Sequence, residues 1–248
     1  MQTGKGMKKI FVVGLGPGGK DQMTGRAIDA INESQVITGY KVYVELVKDL
    51  IGDKEVYISN MKQEVERCKK AMEYALEGKT TAMVCSGDAG VYGMAGIVCE
   101  VCKDHPEIEI EVVSGISACC SGAAVLGAPL IHDFAVISLS DLLTPWEKIE
   151  KRLLLASEAD FVICLYNPSS KKRADYLKKA CSLMMQHKAP ETPCGYVKNI
   201  GRDGEEAKIC TLKELADEQV DMFTTVFIGN SQTQVINGRL VTPRGYGV

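Results

Sequence analysis

The chain has 248 residues, 46% of them hydrophobic and 25% charged, the composition of an ordinary globular protein. Its net charge is −3 and its pI near 5.7, so no basic excess argues for nucleic acid and no run of like charges reads as a tail. No stretch approaches the roughly 18 apolar residues that cross a bilayer, so no membrane partner is expected.

Residues 1–6, "MQTGKG", lack the apolar core of a signal peptide and read as a cloning remnant or a frayed end. From there strand and helix signals alternate. "KKIFVVGLG" reads as a buried strand, "MTGRAIDAINES" as a helix and "QVITGY" as a short strand. Val65, Cys68, Met72, Ala75 and Leu76 recur at helical spacing, which predicts an amphipathic helix over 62–77 ended by Gly78. "TTAMVCSG" and "EIEIEVVSG" read as strands, "VYGMAGIVCEVCKD" and "ISACCSGAAVLG" as helices. Such alternation predicts a parallel sheet covered by helices. The texture changes at "GAPLIHDFAVISLSD". A second set follows: strand "DFVICLY", helix "KKRADYLKKACSLMMQ", strands "PCGYVKNI" and "EAKICTL", a short helix, strand "TTVFIGN" and a final "RLVTPRGY". The expectation is two α/β domains, 7–131 and 132–248, the second with a mixed sheet because its connections shorten.

Ten cysteines raise the question of a metal or disulfides. Cys85, Cys164 and Cys210 sit inside apolar runs, where they act as small hydrophobes. Cys99 and Cys102 form one C-x-x-C with no second pair, and Cys119 and Cys120 are adjacent. No metal site and no iron–sulfur centre are expected. This usage suits a reducing compartment, and the protein reads as cytoplasmic.

Gly14, Gly16 and Gly19 satisfy G-x-G-x-x-G after the first strand. A dinucleotide site also needs an acidic residue at the end of the second strand, but that strand ends in Gly39–Tyr40. Pro17 lies inside the turn, where backbone N–H groups should face a pyrophosphate, and proline has none. A kinase-type phosphate loop fails as well, because Glu73 stands where "GKT" at 78–80 needs a glycine. A nucleotide-dependent oxidoreductase is therefore disfavoured. "SGDAGVYG", "SGISA" and "LYNPSS" each follow a strand as well, so four small-residue loops should line the carboxyl edges where α/β sheets bind ligands. Taken singly, each reads first as a tight βα turn, because glycines punctuate turns everywhere, and a noncatalytic small-molecule binder remains a third reading.

Together "VVGLGPGGKDQMT", "VCSGDAGVYGMAG", "VVSGISACCSGAAVLGAPLIHDF" and "VICLYNPSSKKR" resemble, in this order, the tetrapyrrole (corrin/porphyrin) methylase family. Within it, "HDFAVISLSDLLTPW" and "LYNPSSKKR" are most similar to the C-17 methyltransferases of cobalamin synthesis, which act on precorrin-3B or cobalt-precorrin-3 and contract the ring. A sibling acting at another ring carbon is the alternative. The resemblance implies two α/β domains with S-adenosylmethionine in the cleft between them, a tetrapyrrole substrate and a homodimer. It implies donor contacts at Pro17, at Ser86, Gly87 and Asp88, at Val91 and Tyr92, at Ser117 and Ala118, at Tyr166 and Asn167, and at Asn199 and Ile200. The family's usual "E-N" reads Lys198–Asn199 here.

A sulfonium donor needs alignment more than acid catalysis. Asp88 either attracts the sulfonium or caps a helix. A polycarboxylate acceptor calls for cations and donors, for which Arg26, Lys41, Tyr43, Tyr92, His132, Ser140 and Arg173 are candidates. Ring contraction calls for an acid or base: His132 is the first candidate and Asp141 the second. Adjacent residues on a strand face opposite sides, so His132 and Asp133 are not expected to form a dyad.

Overall fold

The computed structural model describes residues 8–170 and 172–247; the remnant proposed at 1–6 and Lys171 of "NPSSKKR" lie outside them. Two units divide the chain, one ending at Ala118 and the other beginning at Cys119.

The first unit contains β1 (Lys9–Gly14), α1 (Gly25–Glu33), β2 (Val36–Tyr40), the short α2 (Lys41–Glu45) and α3 (Lys48–Ile51), β3 (Glu55–Ser59), α4 (Glu64–Leu76), β4 (Thr81–Cys85), α5 (Ala95–Val101) and β5 (Glu109–Val113). Its five strands are all parallel, in the order β3-β2-β4-β1-β5. The unbroken apolar run of β1 follows from burial on both faces. Ile10 and Val12 join Cys68, Ala71 and Val98 of α4 and α5, while Phe11 and Val13 join Ala27, Ala30 and Ile31 of α1. Thr24 caps α1 by accepting the Ala27 N–H at 3.1 Å. Gly78 closes α4 at φ +85°, the left-handed conformation that suits glycine.

The second unit contains α6 (Ala118–Leu126), β6 (Gly127–Ala128), β7 (Phe134–Ser138), α7 (Trp146–Glu158), β8 (Val162–Tyr166), α8 (Tyr176–Met184), β9 (Pro193–Lys198), β10 (Glu206–Thr211), α9 (Leu212–Leu215), β11 (Thr224–Ile228), β12 (Gln234–Ile236) and β13 (Arg239–Val241). Its main sheet runs β10-β9-β11-β8-β7 and is mixed: β7 and β8 are parallel, the other pairs antiparallel. The division falls ahead of the expected 131/132 for a packing reason. α6 lays Gly122 against Phe227, so closely that an added Cβ would meet the ring at 2.9 Å, and β6 pairs with β13. These contacts tie α6 to the second core.

One buried charge pins that core. The Lys188 ammonium donates to the Phe161 and Gly229 carbonyls at 2.9 and 3.0 Å, joining the entry of β8 to the exit of β11. Burial pushes its pKa down, and Asp160 beside it opposes the shift. Replacing Lys188 by methionine keeps the volume and strips both carbonyls of their donor. The expected loss is about 2 kcal/mol or more of unfolding free energy, measured by urea titration; an unchanged midpoint would show the carbonyls to be indifferent to it.

Candidate active site

In a parallel sheet the carboxyl ends of the strands share one edge, and here the loops after β1, β4 and β5 meet on it. The Leu15 N–H donates to the Cys85 carbonyl at 2.9 Å. Gly16 and Gly87 then exchange backbone hydrogen bonds of 3.0 and 2.8 Å, with φ of +72° and +66°. A Cβ on Gly14 would meet Gly87 O, Gly115 N and Ala89 N at 2.7, 2.8 and 2.9 Å. The glycines thus let three loop backbones pack against one another. Pro17 is buried beside them.

Asp88 holds the knot together. One carboxylate oxygen accepts the Gly90 N–H at 2.8 Å and the other accepts the Gly115 N–H at 3.0 Å, 27 residues away. It does not cap α5, which begins only at Ala95; Tyr92, at φ +52°, and Gly93 delay the helix expected from Val91. Outside the knot Val91, Tyr92 and Ile116 stand 38, 57 and 41% exposed. Ser86, Ser117 and Ala118 are half-buried. One edge therefore combines closely approachable backbone with an apolar surface.

In the second unit the parallel pair β7 and β8 also ends on one edge. The Tyr166 hydroxyl accepts the Cys119 N–H at 2.9 Å, satisfying one of the unpaired donors that open α6. Asn167, at φ +51°, donates from Nδ2 to the Ser138 hydroxyl at 3.0 Å, and the same oxygen accepts the Ser140 N–H at 3.2 Å. Asp141 follows. It accepts from the Tyr176 hydroxyl at 2.6 Å and is ion-paired with Arg173, whose Nε lies 2.6 Å from its other oxygen, and these partners hold its carboxyl below the usual range. Trp146 packs against Tyr176 with ring centroids 4.5 Å apart and the rings tilted by 50°. Asn199, also at φ +51°, turns the chain after β9, and Ile200 is buried against Gly122.

His132 lies elsewhere. It precedes β7 in a bend, not on a strand as expected, and the carbonyl of Asp133 accepts from the first residue of β8, Val162, at 3.2 Å. It therefore sits at the amino edge of β7 and Asp141 at the carboxyl edge. The strand between them is about 13 Å long at roughly 3.3 Å per residue, so the two cannot act as a pair on one bond. Its Nε2 is buried without a hydrogen-bond partner among the described residues.

Arg26 is engaged in ion pairs to Glu33 and Glu111 at 2.7 and 2.6 Å, over the ring of Phe11, which ties α1 to the sheet. Tyr43 packs edge-on against Tyr40. Lys41 is exposed at the start of α2. Cys99 and Cys120 are exposed, and the other eight cysteines are buried thiols. Burial raises the Cys68 and Cys181 thiols to about 12, so both are inert as nucleophiles. Among the described residues no group of three or more His, Cys, Asp or Glu could hold a metal ion, and no helix is long and apolar enough to cross a membrane.

Residues 9–216 match the family of tetrapyrrole (corrin/porphyrin) methylases. The chain belongs to this family. It is 48% identical over 238 residues to a probable cobalt-factor III C(17)-methyltransferase from Salmonella typhimurium, covering 96% of this chain and 99% of the relative. The crystal structure of the methyltransferase CobJ superposes with a TM-score of 0.88 at 33% identity, covering 94% of this chain and 99% of CobJ. A Thermus thermophilus uroporphyrin-III C-methyltransferase solved with S-adenosyl homocysteine shares the fold, with a TM-score of 0.71 at 21% identity, covering 89% and 97% of the two chains. In this methylase the glycine loop after β1 is a packing knot between strand-end loops. That accounts for a proline where a pyrophosphate cradle would need an N–H.

Proposed function

We propose that this methylase transfers a methyl group from S-adenosylmethionine to C-17 of a cobalt-bearing corrin precursor, with ring contraction, in cobalamin biosynthesis. The observation that carries the reading is the carboxyl edge of the first sheet. Three small-residue loops, in the family's order, are locked backbone to backbone beside exposed Val91, Tyr92 and Ile116. An adenosyl thioether fits such an edge: its polar groups need approachable backbone and its base an apolar flank. The name of the Salmonella relative supports the position and the cobalt.

S-adenosylmethionine supplies an electrophilic methyl on a cationic sulfur, so the reaction needs no acid for the leaving group. The protein's task is then orientation. Pro17, Ser86, Gly87, Val91, Tyr92, Ser117 and Ala118 of the first unit, with Tyr166, Asn167, Asn199 and Ile200 of the second, are the proposed donor contacts. Asp88 acts by fixing the loops. Asp141 has both oxygens committed and its acidity raised, which suits holding Arg173 better than moving a proton. His132→Ala is expected to leave turnover unchanged, because its ring lies at the amino edge of β7; a collapse of turnover with donor binding intact would restore it as the acid–base group.

The same reading carries a cytoplasmic homodimer, which sedimentation of the purified chain checks. The functional test supplies S-adenosylmethionine with cobalt-loaded or cobalt-free precorrin-3 and locates the new methyl by NMR. One methyl at C-17 with ring contraction, only on the cobalt form, is the expected result. Methylation at another carbon would move the enzyme to a sibling step. Equal turnover of the cobalt-free form would remove the metal from the substrate definition.

A further inference from the structure

Arg173 is paired with Asp141. Its Nε lies 2.6 Å from Asp141 in an ion pair, and Asp141 is fixed from its other oxygen by Tyr176, which Trp146 backs. The side chain is 14% exposed, and none of its nitrogens is both buried and unpartnered. A guanidinium paired with one carboxylate keeps further N–H donors, and these can take a second carboxylate through parallel hydrogen bonds. Directly after Asp141, Leu142 and Leu143 are 66 and 97% exposed. Paired exposed leucines beside an oriented guanidinium fit a ligand with a broad apolar face and carboxylate arms.

We propose that Arg173, positioned by Asp141 and Tyr176, binds a carboxylate arm of the tetrapyrrole substrate, and that Leu142 and Leu143 cover the adjoining apolar face of the ring. The assignment rests on the corrin-methylation reading above. It singles out one cation from the sequence candidates on geometry: Arg26 is committed to two carboxylates, whereas among the described residues Arg173 pairs with one, Asp141. Asp141 and Tyr176 are positioning residues. The site lies where β7 and β8 end, the edge at which α/β sheets hold ligands.

The chain has a single tryptophan, Trp146, inside this network, so tetrapyrrole binding can be titrated by its quenching without turnover. The probe is uroporphyrin III, a stable polycarboxylate tetrapyrrole, added to the full chain. Arg173→Met is expected to weaken its binding at least tenfold and to flatten the salt dependence. S-adenosyl homocysteine affinity should stay within twofold of wild type, which also verifies folding. Arg173→Lys should recover part of the affinity, since charge survives and the fork does not. Asp141→Asn should raise KM for the corrin precursor more than it lowers kcat. Equal uroporphyrin affinity in wild type and Arg173→Met overturns the assignment and leaves the corrin reading standing. A wild-type chain that binds no polycarboxylate tetrapyrrole overturns both.

Discussion

Gly14→Ala is expected to weaken donor binding about a hundredfold. The added methyl has nowhere to go, because its three nearest neighbours, at 2.7 to 2.9 Å, are all backbone atoms of the loops after β4 and β5. A flexible side chain could swing aside from such a contact, but a hydrogen-bonded backbone has to move as a unit. Overpacking of this kind costs about 3 kcal/mol when a core resists, equivalent to about a hundredfold in a binding constant if the displacement falls on the donor loops. Gly96→Ala in α5 is the control. Nothing lies within 4 Å of its added Cβ, and glycine inside a helix is disfavoured relative to alanine by roughly 0.5–1 kcal/mol, so this variant should be slightly more stable. Calorimetric titration with S-adenosyl homocysteine and a thermal melt separate the two. A Gly14→Ala protein that bound like wild type would show that the donor does not depend on the knot.

What the sequence disclosed follows from which forces are local. The first sheet was legible through its inner strands β1, β2 and β4, whose burial on both faces writes unbroken apolar runs such as "KIFVV" into the chain. β3 was not legible, because an edge strand with exposed Val56 and Ile58 needs no such run. α7 was legible but passed over: Trp146, Ile149, Leu153 and Ser157 lie at helical spacing behind Pro145. The candidate site divides in the same way. Small residues after strands announced the loops, since close approach leaves glycine as its mark. The partner of Asp88 left no mark, because it is the backbone N–H of Gly115, and any residue but proline has one. Likewise the pairing of Asp141 with Arg173 and Tyr176 spans a whole helix and strand, and only the fold brings the three together.

Asp88 is where the two readings of a carboxylate beside a sulfonium donor give opposite results. If its charge attracted the sulfonium, Asp88→Asn would weaken S-adenosylmethionine far more than S-adenosyl homocysteine, because only the first carries the positive sulfur. If Asp88 is a staple, both ligands lose equally. The geometry favours the staple, since both oxygens are already occupied by backbone donors at 2.8 and 3.0 Å. Asparagine offers one acceptor oxygen where the loops present two N–H groups, and its NH2 would face one of them, donor against donor. Asp88→Asn should therefore be at least as harmful as Asp88→Ala, which leaves the Gly115 N–H without its acceptor. An unsatisfied, partly buried donor costs about 1–3 kcal/mol, so each variant should bind both ligands roughly tenfold to a hundredfold more weakly, with the ratio between the ligands held at the wild-type value. Asp88→Glu keeps the charge and shifts both oxygens by one methylene, and it should fail with the others. Selective loss of S-adenosylmethionine binding in Asp88→Asn, with Asp88→Glu near wild type, would return Asp88 to an electrostatic role at the sulfonium.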